Sequence, residues 1–352
     1  MPSVQIHGFR PLARLVPRDR HVFFTWALPC AARNLNALMQ PIRRAVIDVG
    51  TNSIKLLVAD VAGRDVQPVH EESRQTRLGQ GFYETHRLQM EAIAYSANAV
   101  ADFARTARKH GARTIRVIAT SAARDAVNPE DLISAIEAAS GLKVEIISGD
   151  REAGWAFQGV TTDRELANAP LLLLDVGGGS TQFILGQGER THFAHSFPLG
   201  AVRLLEKFPH SDPPTRGEFT ACRDWLKNFL QSEVRPKLEP ALRRETDSQS
   251  AGIQLVGTGG TTSILARMEA KLDRYDRERM EATRLSLEQV KAHRKRLWSL
   301  PLTERKEITG LPKLRADVIL PGVVIYEVVM EEFGFKLLRV STRGLRFAAV
   351  MD

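Results

Sequence analysis

Leu171–Gln182 reads LLLLDVGGGSTQ. Four leucines in a row mark a buried strand, too short for a lone helix and bounded by a turn signal. The strand delivers Asp175 to its end. After Val176 the glycines Gly177, Gly178 and Gly179 turn the chain, and Ser180 and Thr181 start the way back. Lacking Cβ atoms, these glycines let backbone N–H groups approach a ligand closely, and phosphate oxygens suit such a nest. The neighbouring carboxylate repels a polyanion, so a divalent cation between the two is the simplest inference. Taken alone, the same run also reads as a tight hairpin and nothing more.

The grammar recurs. Ala45–Val58, AVIDVGTNSIKLLV, is an apolar strand, Asp48, Gly50, then Thr51, Asn52 and Ser53, and a second apolar run. Leu255–Ser263, LVGTGGTTS, is a third version, with Gly257, Gly259 and Gly260 and no acid. Two strand–Asp–turn–strand hairpins, one in each half, point to a duplicated α/β domain with ligand in the cleft between the copies. One aspartate then stands on each wall.

On these motifs the chain resembles the exopolyphosphatase / guanosine pentaphosphate phosphohydrolase (Ppx/GppA) family, within the actin–hexokinase–heat-shock-ATPase fold. The matching pieces are DVGTNS at 48–53, RLGQG at 77–81, ATSAARDAVN at 119–128, ISGDREA at 147–153, LLDVGGGST at 173–181, FPLGAVRL at 197–204, VGTGGT at 256–261 and STRGLR at 341–346. Their order and spacing are specific for the family, though not for a substrate within it. The resemblance implies duplicated actin/hexokinase-like (ribonuclease H-like) domains with an interdomain active-site cleft. It divides the chain into an extension over 1–42, domain I over 43–162 and domain II over 163–352, with the last helix packing back on domain I. No His-Asp dipeptide is present, so the short, two-domain form is the one resembled.

The activity implied is hydrolysis of a phosphoanhydride, releasing orthophosphate from the end of inorganic polyphosphate. Conversion of guanosine pentaphosphate to tetraphosphate is the sister activity. By resemblance Glu152 holds or deprotonates the attacking water, and Asp48 and Asp175 hold Mg²⁺. Asn52, Ser53, Arg124, Gly178, Gly179, Ser180, Thr181, Gly259 and Gly260 then cradle phosphate oxygens. Where family members carry Glu after Gly-Gly-Gly-Ser-Thr, this chain has Gln182. The family glutamate stands beside the metal–phosphate centre, so Gln182 offers one carbonyl acceptor there without charge. Two other readings stay open: a sugar or acetate kinase of the same superfamily, and a non-catalytic polyphosphate or alarmone sensor. As bare residues, Glu152 is a good first-turn helix residue and Arg124 an ordinary ion-pair partner.

Around these motifs the periodicity predicts strands at about 44–49, 54–60 and 66–77. A long helix follows on Ile93, Ala97, Val100 and Ala104, with Gly111 at its end. Strands at 114–119 and 144–147 bracket a helix opened by Pro129, and Ser148 or Asp150 caps the helix that carries Glu152. Residues 163–170 read as a linker, 192–197 as a strand, 214–240 as helical and 246–250 as a loop. A strand at 253–256 feeds a helix over 261–268, whose N-terminus faces the cleft. Ser286 to Gln289 is a capping box. The basic run Lys291–Arg296 reads as a solvated helix face, or else as a docking strip for a polyanion. After Arg346 comes Phe347-Ala348 instead of the family's acidic residue and Gly, which leaves the last helix's contacts open.

The 352 residues carry a net charge of +8 and a pI of about 9.7. Setting aside the five arginines and one aspartate of residues 1–42 leaves 44 basic against 40 acidic residues, a net +4. That mild excess suits an acidic partner and equally an ordinary surface. Residues 1–42 imitate a signal or organelle presequence, but the apolar patch Val22–Leu28 is short and Pro29 before Cys30 does not suit a lipoprotein cleavage site. They read as a disordered extension, or as sequence upstream of a true start at Met39. Cys30 and Cys222 form neither a disulfide framework nor a metal spacing, which favours a reducing cytoplasm. No nucleic-acid or membrane partner is expected, and the family suggests a homodimer. His192 and His195 lie three apart on a strand and so point to opposite faces, which argues against a shared metal.

Overall fold

The computed structural model describes residues 40–248 and 252–352. The expected extension lies outside them up to residue 39, as do residues 249 and 250 of the expected loop. Five strands form one sheet: β1 (Ile42–Val49), β2 (Ser53–Ala62), β3 (Asp65–Gln75), β4 (Thr114–Ala119) and β5 (Val144–Ile146), in the order β3-β2-β1-β4-β5. Six form the other: β6 (Leu171–Val176), β7 (Thr181–Gln187), β8 (Arg190–Phe197), β9 (Gln254–Thr258), β10 (Arg284–Ser286) and β11 (Leu337–Val340), in the order β10-β11-β9-β6-β7-β8. Each begins as an antiparallel three-strand meander and grows by strands parallel to its first strand: β4 on β1, and β9 on β6. The second sheet thus repeats the first, with β10 added at the far edge. The repeat holds to the residue, since Asp48 pairs with Lys55 and Asp175 with Gln182. The fold is the duplicated ribonuclease H-like α/β fold of the actin–hexokinase class.

Short helices α1 (Phe82–Thr85) and α3 (Ser121–Asp125) and long helices α2 (Met90–Lys109), α4 (Pro129–Ser140) and α5 (Gly149–Val160) belong to the first repeat's sequence. On α2 the predicted stripe Ile93, Ala97, Val100 and Ala104 is buried against β1, β2 and β4. Gly111 just beyond it has φ 78°, the left-handed value that favours glycine. The second repeat adds α6 (Ala201–Lys207), α7 (Arg216–Phe229), α8 (Arg235–Ser248), α9 (Gly259–Glu269), α10 (Arg277–Ala282), α11 (Leu287–Ser299), α12 (Leu302–Arg305), α13 (Ile319–Phe333) and α14 (Leu345–Ala349). A π-helical turn, Leu230–Val234, joins α7 to α8.

Two expectations change on contact with the fold, and the contacts left open for the last helix are filled. The loop predicted from Thr246 begins later, because α8 runs to Ser248 and the Thr246 hydroxyl donates to Leu242 O (2.9 Å) within the helix. The basic run on α11 is a solvated face only in part: Lys295 and Arg296 are exposed, while Arg294 pairs with buried Glu327 (2.7 Å), His293 with Glu269 (2.7 Å) and Lys291 with Glu331 (3.2 Å). The last helix turns apolar because Phe347 is fully buried, in one core with Val46, Leu57 and Ile118 of the first sheet. Meanwhile α5 lays Ala153, Ala156, Phe157 and Val160 on Leu171, Leu173 and Ile184 of the second sheet. The helix carrying Glu152 is therefore shared between the repeats. No helix among the described residues is long and apolar enough to cross a membrane.

Candidate active site

A cavity of about 290 Å³ lies where the two hairpins face each other. Asp48 reaches it from the end of β1, Asp175 from the end of β6 and Glu152 from the first turn of α5. Of the other expected residues, Asn52, Ser53, Gly178, Gly179, Ser180, Gln182, Gly259 and Gly260 also line it.

Ser148 sets Glu152 in place by accepting from Arg151 N (3.2 Å), and the Glu152 N–H donates to Ser148 O (2.9 Å). Burial pushes the Glu152 carboxyl up to about 7, with the Arg124 guanidinium pulling it down and the negative charges of Asp175 and Asp48 adding to the rise. Arg124 Nη1 donates to Glu152 Oε2 (3.0 Å) and to Ile147 O (3.0 Å). Asp175 is pushed up to about 6 by lost hydration, eased by Lys55 and sharpened by Asp48. Asp48 is raised for the same first reason, with Lys55 and Arg346 opposing. All three carboxyls are raised first by lost hydration, against the pull of the cations beside them, which favours the neutral acid wherever water or a cation does not reach them.

Two orphaned atoms show what the cavity lacks. Asp48 Oδ1 and Asn52 Nδ2 are buried and have no hydrogen-bond partner. One is an acceptor for a cation or donor; the other is a donor for an oxyanion. The Asn52 orientation is the one in which its Oδ1 accepts from Gln75 Nε2 (3.3 Å). Opposite them α9 opens at Gly259, where Thr258 supplies no side-chain cap, so first-turn N–H groups are open to the cavity. Gly259 itself has φ 90°, and a Cβ there would lie 2.4 Å from Asp175 Oδ1. Among the described residues no three of His, Cys, Asp and Glu gather as a complete metal-ligand set. A cation here would rest on Asp48 and Asp175, with its remaining positions filled by ligand oxygens and water, the habit of Mg²⁺.

Two expected residues stand elsewhere. Thr181 is buried and donates its hydroxyl to Leu199 O, so it braces the turn between β8 and α6 and does not line the cavity. Arg124 lines a neighbouring cavity and meets the first at Glu152. Gln182 donates from Nε2 to Ser180 Oγ (2.9 Å) and Ser196 Oγ (3.0 Å), which leaves its carbonyl oxygen as its only cation ligand. Sequence reading misses four cations on the cavity wall, Lys55, Arg267, Arg315 and Arg346, the last of which closes the STRGLR motif. Lys55 had a signal: it follows Asp48 at the interval by which Gln182 follows Asp175. Arg315, which donates to Ser53 Oγ (2.8 Å) and lies beside Gly260, and Arg267 had none.

The profile of the Ppx/GppA phosphatase family matches residues 57–351. The chain belongs to the Ppx/GppA phosphatase family. It is therefore a phosphatase of the hydrolase class. Among relatives of this Ppx/GppA chain, exopolyphosphatase 2 of Mycobacterium tuberculosis is 36% identical over 301 residues, 82% of this chain and 90% of its own length. Exopolyphosphatase 1 of Mycobacterium bovis is 28% identical over 314 residues, 88% of each chain. A crystal structure of an exopolyphosphatase from Cytophaga hutchinsonii superposes with a TM-score of 0.75 at 28% identity, covering 87% of this chain and 96% of that one. The Aquifex aeolicus Ppx/GppA family member does so with a TM-score of 0.70 at 28% identity, covering 88% and 97%.

Proposed function

We propose that this Ppx/GppA protein is an exopolyphosphatase, hydrolysing the terminal phosphoanhydride bond of inorganic polyphosphate. The observation that carries the reading is the orphaned pair in one cavity, Asp48 Oδ1 and Asn52 Nδ2, beside a glutamate whose pKa stands at about 7. A water oxygen bonds to the terminal phosphorus as the bridging P–O bond breaks, and that bond's electron pair stays on the shortened chain. The water's proton passes to Glu152, whose pKa near neutrality suits it to take the proton and give it up again. Arg124 fixes the carboxylate's orientation through its 3.0 Å contact. Asn52, Ser53, Ser180, the Gly178 and Gly179 backbone and the opening of α9 at Gly259 and Gly260 position phosphate oxygens. Asp48 and Asp175 would hold Mg²⁺, which would supply neutralising charge to the phosphate oxygens. The mycobacterial relatives named as exopolyphosphatases support this substrate over others.

The test is phosphate release from long-chain polyphosphate and from guanosine pentaphosphate, side by side, with and without Mg²⁺. Magnesium-dependent release from polyphosphate is expected. Retained polyphosphate binding with no release from either substrate would make the protein a sensor and overturn the reading. A reducing cytoplasm is the proposed setting, with Cys222 a free, buried thiol.

A further inference from the structure

Behind the proposed base lies a second cavity. It has a volume of about 260 Å³ and is walled by Arg124, Gly149, Asp150, Ser180 and Ser196, among others. Ser180 lines both this cavity and the one holding the aspartates. Two side-chain bridges separate them. In one, Glu152 on the near side meets Arg124 on the far side (3.0 Å). In the other, Gln182 on the near side meets Ser196 on the far side (3.0 Å). Both bridges of this partition are made by polar side chains. Beyond it, His195, Phe197 and Pro198 also line a third cavity of about 440 Å³, reaching Lys237 and Trp225.

We infer that this second cavity is the exit for orthophosphate, separate from the opening through which the polyphosphate chain lies. The inference rests on the hydrolytic reading above. When the terminal phosphoryl group is cut, the shortened chain still occupies the front of the first cavity. The freed phosphate then has Glu152, Ser180 and the partition before it. Arg124 offers a guanidinium just across the partition, and Lys237 and His195 stand further out. Asp125 and Asp150 on the same walls weaken any resting place for an anion, as a path requires and a storage site does not. Gly149 is the narrow point. A Cβ there would lie 2.8 Å from Ser196 Cβ and 3.2 Å from its Oγ, with Arg124 Nη2 at 4.0 Å. Gly149 thus packs directly on Ser196, so bulk added there would push Ser196 into the passage, and a chain that stays bound while its products leave behind it can be cut repeatedly.

The experiment compares two clocks in a single turnover of long-chain polyphosphate with Mg²⁺. Acid quench reads phosphate formed, and a fluorescent phosphate-binding reporter reads phosphate freed. Gly149→Ala narrows the passage, and His195→Trp fills its outer mouth, away from Glu152. In the wild type the two signals should coincide. In each variant freed phosphate should lag formed phosphate by about tenfold, as where product release limits turnover. Coincident signals in both variants would overturn the inference. So would equal slowing of both signals, which would make the passage a water supply or Gly149 a structural residue. If the wild type forms no phosphate even under quench, the hydrolytic reading itself fails. A wild type that forms phosphate beside variants without lag refutes the exit alone.

Discussion

In the first hairpin the turn after Asp48 carries side chains; in the second, the turn after Asp175 carries almost none. Register does not distinguish them, since Asp48 faces Lys55 as Asp175 faces Gln182. The first turn is bolted to the chain beyond β3: Thr51 O accepts from Gly79 N (2.7 Å), and Asn52 O from Thr76 N (3.2 Å) and Arg77 N (3.0 Å). The second turn fits against it. A Cβ on Gly178 would lie 2.9 Å from Thr51 Cβ, and one on Gly179 would lie 2.2 Å from Tyr83 Oη and 2.4 Å from Ser121 Oγ. Thus one copy presents groups and the other is emptied to receive them. The glycine run serves the meeting of the repeats as much as any phosphate.

The largest expected effect concerns what neither hairpin supplies. Glu152→Gln should lower phosphate release by roughly 10²–10⁴-fold while polyphosphate binding is kept, the scale of a lost general base. Near wild-type turnover would take Glu152 out of the chemistry. Next, Asp48→Asn and Asp175→Asn should each cost on the order of 10²-fold, as for one lost electrostatic contact in a preorganised site. The double variant should fall little below the worse single, because both serve one centre. Full additivity would mean the duplicated hairpins work independently. Gly179→Ala tests the contact between the turns. Overpacking against Tyr83 and Ser121 should cost about 1–3 kcal/mol, read as a lower unfolding midpoint.

The smaller effects probe the differences around the second hairpin. Gln182→Glu should lower the Mg²⁺ concentration for half-maximal release by roughly 2–10-fold, since affinity follows ligand charge. An unchanged requirement would detach position 182 from the cation. Arg124→Gln removes the cation that holds the Glu152 pKa down. The neutral acid is then favoured, so the rising limb of kcat/KM, which needs the carboxylate, should move to higher pH. A limb that stays in place would mean another group controls it.

Both hairpins were legible because strand, acid and turn are written within a dozen residues, and the aspartates arrive wherever the strands end. Glu152 was legible as a first-turn residue, but its role came only with the family motif. Sequence distance hid the rest. Arg315 meets Ser53 across the fold through a short turn with no pattern of its own. The family motif offers Thr181 beside Ser180 as a phosphate ligand, yet alternation along β7 turns it from the cleft toward Leu199. The motif offers Arg124 as a cradle, and only the fold puts it on the far side of its own ion pair.

The last helix completes the first sheet. Leu345, Phe347, Ala348 and Val350 share a core with Val46, Leu57 and Ile118, Arg44 donates to Met351 O (2.7 Å) and Arg116 pairs with Asp352 (3.0 Å). On the ribosome, this face of the half made first waits uncovered until α14 emerges after the second repeat, so the repeats mature together and not in turn. A stop codon just before Gly344 should therefore register as aggregation seeded by the β1–β2 face, seen as loss of soluble protein, and not as the trimming of a tail.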